Sequence, residues 1–131
     1  MNRRKAREGA FIILFQYKFQ PENIRELIDY YYKEFNNGEE VEYIEEVVIG
    51  TVEKIEEIDK KISEFSKGWT TDRMSAVSIA VIRLSVYEML FCDGIPNTVS
   101  VNEAVAIAKE YEGDEAAPFV NGILGNIKEK C

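Results

Sequence analysis

The chain has 131 residues, with 16 lysines and arginines against 24 aspartates and glutamates, no histidine and a formal net charge of −8. That length suits one domain, covering residues 1–131, and is enough to bury about two-thirds of its unfolded surface in one core. The missing histidine excludes Ser-His-Asp and Cys-His catalysis and any imidazole metal ligand.

Cys92 and the terminal Cys131 cannot make a Cys-x-x-Cys pair or a disulfide framework, a usage that fits a reducing compartment. The longest apolar run, Gly9 to Phe15, is too short to cross a bilayer, and no small-residue cleavage site follows it. A cytoplasmic protein without a membrane association is expected.

Charge is unevenly placed. Residues 1–7 hold Arg3, Arg4, Lys5 and Arg7 and no acid, which leaves 12 bases against 24 acids in the other 124 residues. A body this acidic repels polyanions at long range, so any nucleic acid must be met through this one basic patch. A frayed, solvated terminus is the bland alternative. Two details favour a held patch. Three of its four bases are arginine, whose planar fork suits phosphate and base stacking, and the patch runs unbroken into an apolar helix.

Helices are predicted almost throughout. The first covers Arg3 to Phe19, with Ala6, Ala10, Ile13 and Tyr17 on one stripe and Phe11, Phe15 and Phe19 on a second. Two apolar stripes imply two partners, one being the core. Pro21 ends this helix and suits the first turn of the next, where Ile24, Leu27, Ile28, Tyr31 and Phe35 keep helical spacing up to a stop at Asn37-Gly38. From Glu39 to Lys67 the apolar positions Val41, Ile44, Val48, Val52, Ile55, Ile58, Ile62 and Phe65 allow one long helix or two broken near Glu57. Gly68 ends that stretch, and Thr70-Thr71-Asp72 offers caps for a helix running to about Cys92.

Between Met74 and Cys92 only Arg83 and Glu88 are charged, so this helix should lie at the centre of a bundle. Ser100-Val101-Asn102-Glu103 reads as a capping box opening the next helix, which stops at Gly113. The last helix spans about Glu115 to Glu129. Its interior Gly122 and Gly125 each cost about 1 kcal/mol, which close approach of another backbone would offset. No stretch alternates as a strand, so the expected class is all-α.

Catalytic signals are weak. Glu88 is the best candidate acid, with pairing to Arg83 or an amide as the structural alternative. No strand-borne Gly-rich loop or calcium-loop spacing occurs, and Cys92 reads as a structural thiol. Neither an enzyme nor a cofactor or metal site is expected.

Three segments together carry a family likeness. They are Arg3-Arg4-Lys5-Ala6-Arg7-Glu8, then Ile82-Arg83-Leu84-Ser85-Val86-Tyr87-Glu88-Met89-Leu90 with Ile95-Pro96, and Val101-Asn102-Glu103-Ala104-Val105-Ala106-Ile107-Ala108-Lys109 with Phe119-Val120-Asn121-Gly122-Ile123-Leu124. In order, spacing and length the whole chain resembles the NusB family of bacterial transcription antitermination factors.

The resemblance implies about seven helices in two small bundles. It also implies binding of the single-stranded boxA element of nascent ribosomal RNA together with NusE, a small-subunit ribosomal protein, and loading onto RNA polymerase with other Nus factors. By matching position it implies that Arg3, Arg4, Lys5 and Arg7 bind RNA, with Phe65, Tyr111, Glu115 and Phe119 on or near the RNA surface. For Tyr111 and Phe119 the alternative is ordinary core packing. Phe15 and Phe19 match the NusE-facing surface, which would explain the second stripe, and Arg83 and Glu88 are candidates for the same face.

Two departures stand out. Ser78-Ile79 replaces the family's acid and base, and Ala117-Pro118 replaces a polar residue and a base before Phe-Val-Asn-Gly. They motivate a second reading, an acidic helical adaptor with little RNA affinity. A hydrolase using surface carboxylates ranks last. An exposed aromatic stripe also predicts a homodimer when the partner is absent.

Overall fold

The spacing of apolar residues produces seven helices, and no strand forms among the described residues, which in this computed structural model are 3–35, 40–66 and 68–130. In chain order they are α1 (Arg3–Tyr17), α2 (Ile24–Glu34), α3 (Val41–Glu53), α4 (Ile55–Phe65), α5 (Ala76–Phe91), α6 (Asn97–Glu112) and α7 (Ala116–Lys130). Single 3₁₀ turns at Pro21–Asn23 and Thr71–Arg73 precede α2 and α5. The expected stop at Asn37-Gly38, the bounds Glu39 and Lys67, and Cys131 lie outside the described residues.

The near-absence of charge on α5 has the consequence expected of it. Ten of its residues, from Ser78 to Glu88, are buried, and it packs against α1, α3, α4, α6 and α7. Helices α1, α2 and α3 gather on one side of it, and α4, α6 and α7 on the other, giving two small bundles that share α5. Ile28, Val47, Ile58, Ile82, Leu124 and Ile127 are among the fully buried side chains. Each contributes about 1.5–3 kcal/mol from burial.

The stretch that left one helix or two open is two helices, and the break falls at Lys54 rather than near Glu57. Lys54 leaves helical geometry (φ −105°, ψ 19°). The bend lets α3 pack on α1 and α5 while α4 packs on α5 and α7, so one apolar run serves both bundles. Gly68, at φ +94°, follows α4 in the left-handed region that glycine enters without steric cost.

Three local expectations are corrected. Thr70-Thr71-Asp72 does not cap α5; it enters the 3₁₀ turn, and Ser75 Oγ caps instead, accepting from the Ser78 amide at 3.0 Å. Ser100 and Glu103 form no capping box, because α6 starts earlier, at Asn97 behind Pro96, which puts both residues inside the helix. Their side chains are then free for tertiary bonds. Gly122 and Gly125 face open space, with nothing within 4 Å of an added Cβ. Close approach occurs elsewhere, at Gly9 under the Tyr31 hydroxyl and at Gly50 under the Tyr87 ring, where an added Cβ would lie 2.3 Å away.

Candidate nucleic-acid interface

The basic residues open α1 and separate by helical period into an exposed set and a buried one. Arg3, Arg4 and Lys5 are exposed, whereas Arg7 turns inward and is 4% exposed. Its Nε donates to Glu88 Oε2 at 3.0 Å. Glu88, fully buried in α5, also accepts from Tyr43 of α3 and, at 2.7 Å, from Ser100 of α6. A second hydroxyl, Ser85, lies 2.9 Å from Ser100. Four helices therefore meet at one carboxylate.

Burial by itself would lower the Arg7 pKa, but the Glu88 charge, with further help from Tyr43 and Glu103, raises it. Two expectations change as a result. Arg7 is a buried structural cation rather than an RNA contact, and Glu88 is its counter-charge rather than part of a partner-facing surface. Nor does Glu88 pair with Arg83, which is bound by Asp59 of α4 at 3.0 and 2.9 Å.

The exposed bases are held by acids. Arg3 makes two hydrogen bonds to Glu40 (3.1 and 3.2 Å), and its guanidinium lies 4.2 Å from the Tyr43 ring centre. Arg4 makes two to Glu103 (3.0 and 2.7 Å). The Arg4 hydrogen bond, ahead of the opposing effect of burial, holds the Glu103 carboxyl below its usual range. The patch is thus oriented rather than frayed, as its run into an apolar helix led one to expect.

The side chains of α1 and α6 meet in the same chain sense. Arg4 reaches Glu103, and further along Tyr111 donates to Glu8 and packs its ring 4.9 Å from that of Phe11. Tyr111 is nevertheless 42% exposed, so it is neither plain core nor free surface. Phe11, Phe15 and Phe19 form a ladder of rings at 6.2 and 5.5 Å that passes from buried to 62% exposed at Phe19, which lies beyond the end of α1. The second apolar stripe is real, and its outer end, at Phe19, is exposed.

Past the end of α6, Phe65, Glu115 and Phe119 converge on Trp69. The Trp69 and Phe119 rings stand edge to face at 5.7 Å, with a groove of about 300 Å³ on one side, beside Glu115, and one of about 250 Å³ on the other, beside Phe65. Arg73 lies 5.8 Å from the Trp69 ring centre. Sequence reasoning passes over Trp69 and Arg73; the available signal is the chain's single tryptophan with an arginine four residues on. Ser78 and Ile79 are both buried. Among the described residues, no group of three or more Cys, Asp or Glu is placed to hold a metal ion, and no helix is long and apolar enough to cross a membrane.

The NusB family model matches residues 4–129. The chain belongs to the NusB family. Among its relatives, the transcription antitermination protein NusB of Thermoanaerobacter sp. (strain X514) is 44% identical over 125 residues, spanning 95% of this chain and 89% of that protein. The NusB of Clostridium novyi is 41% identical, spanning 97% and 98%. Solved NusB structures share the architecture. That of T. maritima superposes with a TM-score of 0.91 at 33% identity, over 99% of this chain and 92% of that one. A crystal structure of the antitermination factors NusB and NusE with double-stranded RNA matches at 0.89 and 30% identity, over the whole of both chains. The NusB fold, all-α in two small bundles, is therefore the fold of this chain.

Proposed function

We propose that this NusB chain works as one domain in the cytoplasm, as a transcription antitermination factor that binds the boxA element of nascent ribosomal RNA together with NusE. In this reading it helps load the antitermination complex, with other Nus factors, on RNA polymerase, and it acts by binding rather than catalysis. The observation that carries the reading is the end-to-end match to a NusB seen with NusE and RNA.

The chain's own geometry supports it. Arg3, Arg4 and Lys5 offer exposed cations at one end of α1, and Tyr111, Glu115, Phe119 and Phe65 continue from there as faces and acceptors for unstacked bases. The Phe15 and Phe19 rings supply an apolar patch for NusE. Arg83, half-buried on Asp59 of α4, is retained as a further candidate for the NusE contact. When free, two copies are proposed to pair through the same aromatic stripe.

The adaptor reading retains one specific support: Glu40 and Glu103 already occupy Arg3 and Arg4, and a phosphate would have to displace them.

Fluorescence anisotropy with a boxA-like single strand and a scrambled control, with and without NusE and across salt, separates the two readings. With Arg7 buried, three phosphate contacts predict a log–log salt slope of about −2, from roughly −0.7 per phosphate. The boxA strand should bind in preference, and more tightly with NusE. Equal, weak binding of both strands, unchanged by NusE, would leave the adaptor.

A further inference from the structure

Along the chain Arg3, Arg4, Lys5 and Arg7 stand together with no acid among them. Folding changes that balance. Arg7 meets Glu88, Arg4 meets Glu103 of α6, and Arg3 meets Glu40, the residue that precedes α3. Cations matched in this way exert little long-range pull on a polyanion, so attraction has to arise at contact.

Arg3 and Arg4 are engaged in the same manner. Each donates its Nε and Nη2 to the two oxygens of one carboxylate. That edge of the guanidinium is one a phosphate takes in the same bidentate way. The arginine side chains are open, at 45% and 73% exposure, whereas those of Glu40 and Glu103 are sheltered, at 12% and 14%. Ion pairs this close to solvent are weak enough to be exchanged.

Glu40 carries a second mark. At φ +54° and ψ 31° it is the only non-glycine residue among those described with a positive φ, a conformation that side chains disfavour. It stands at the N-cap of α3, yet its side chain makes no capping bond there and reaches Arg3, 37 residues away. Glu103 is fixed differently, inside α6, with Oε1 also 3.9 Å from Nη1 of the buried Arg7.

We propose that Glu40 and Glu103 set the affinity for RNA, as internal carboxylates that hold the phosphate-binding edges of Arg3 and Arg4 until a phosphate displaces them. The inference rests on the RNA-binding reading and deepens it, by naming what opposes binding. An arbitrary strand gains little from the exchange, because each phosphate contact breaks an ion pair. A strand that adds base contacts, or arrives with NusE, gains enough to complete it.

The test is fluorescence anisotropy of the full chain, alone and with NusE, on a boxA-like strand and a scrambled one. Glutamine keeps the shape of glutamate and drops its charge. Glu40→Gln and Glu103→Gln should each tighten binding of both strands by about 2- to 5-fold, and the double substitution by more than either. The gain from Glu40→Gln should vanish when Arg3 is also changed to Gln, and that from Glu103→Gln when Arg4 is, as a direct pairing requires. Circular dichroism checks that each variant keeps its helices. Glu40→Gln, remote from the buried Arg7 pair, decides the matter if Glu103→Gln unfolds.

RNA binding that Glu40→Gln leaves unchanged or weakens overturns the proposal and leaves the RNA reading intact; weakening would make the acids aim the arginines rather than oppose RNA. Tightening that persists in the Arg3→Gln and Arg4→Gln backgrounds also overturns it, as an effect of overall charge. No binding of RNA by any form, with NusE present, removes the RNA reading and this inference with it.

Discussion

Glu88 is the point where four helices are tied together, through Arg7 of α1, Tyr43 of α3, Ser100 of α6 and its own α5. A carboxylate with no exposed surface is tolerable only because each of those donors is present. Removing it strands a buried guanidinium. Glu88→Ala is therefore expected to destabilise the fold by about 3–5 kcal/mol, read as a shift of the urea midpoint at unchanged slope; a loss below about 1 kcal/mol would mean that the network is slack. A lone acid in an apolar helix is easily seen in the sequence. Its partner is not, because Arg7 looks like one more member of a basic run until the helical period turns it inward. The same period separates Arg7 from Arg3, Arg4 and Lys5, and with it three solvent-facing cations from a structural one.

Among the helices, glycine shows how position decides cost. Gly50 in α3 lies under Tyr87 of α5, and the two pack because no Cβ intervenes; Gly125 in α7 faces open space. Gly50→Ala should destabilise by about 1–3 kcal/mol through displacement of the Tyr87 ring. Gly125→Ala should stabilise by about 0.5–1 kcal/mol by restricting the unfolded chain. Thermal melts of the two variants measure both, and equal shifts of the same sign would contradict the packing described for Gly50. Element existence and type were legible from apolar spacing alone. Boundaries were less so: α6 begins before Ser100, and the α3–α4 break falls at Lys54, since what positions them is the partner each face meets.

For the molecule as a whole, several acidic protons are held more firmly folded than unfolded. Burial first, then the Glu46 charge, pushes the Cys92 thiol up to about 12. Burial first, then Glu45, pushes Tyr32 up to about 12. Tyr43 and Tyr111 rise as well, again chiefly through burial, with Glu88 and Glu8 as their respective carboxylate neighbours. In the unfolded chain these groups ionise near their ordinary values of about 9 to 10. Above that pH the folded state binds more protons than the unfolded one, so stability is fully present below about pH 9 and falls as pH rises towards 12. The melting temperature should be flat from about pH 7 to 8.5 and decline beyond about 9.5, with tyrosinate absorbance lagging behind that of the urea-unfolded chain. A flat profile to about pH 11 would contradict the protective burial of these groups.

The sequence by itself determined the all-α class, the central place of α5, the single basic patch and the family, because these depend on local periodicity, composition and ordered motifs. Only the tertiary structure decided which charges are surface and which are core, since a helix exposes or buries a side chain according to what packs on it. It paired Arg7 with Glu88 across 81 residues and Arg4 with Glu103 across 99. It also assembled Phe65, Trp69, Glu115 and Phe119 from two helices and the two turns that precede α5 and α7. Such contacts leave no periodic trace along the chain, and they are where the candidate site acquires its chemistry.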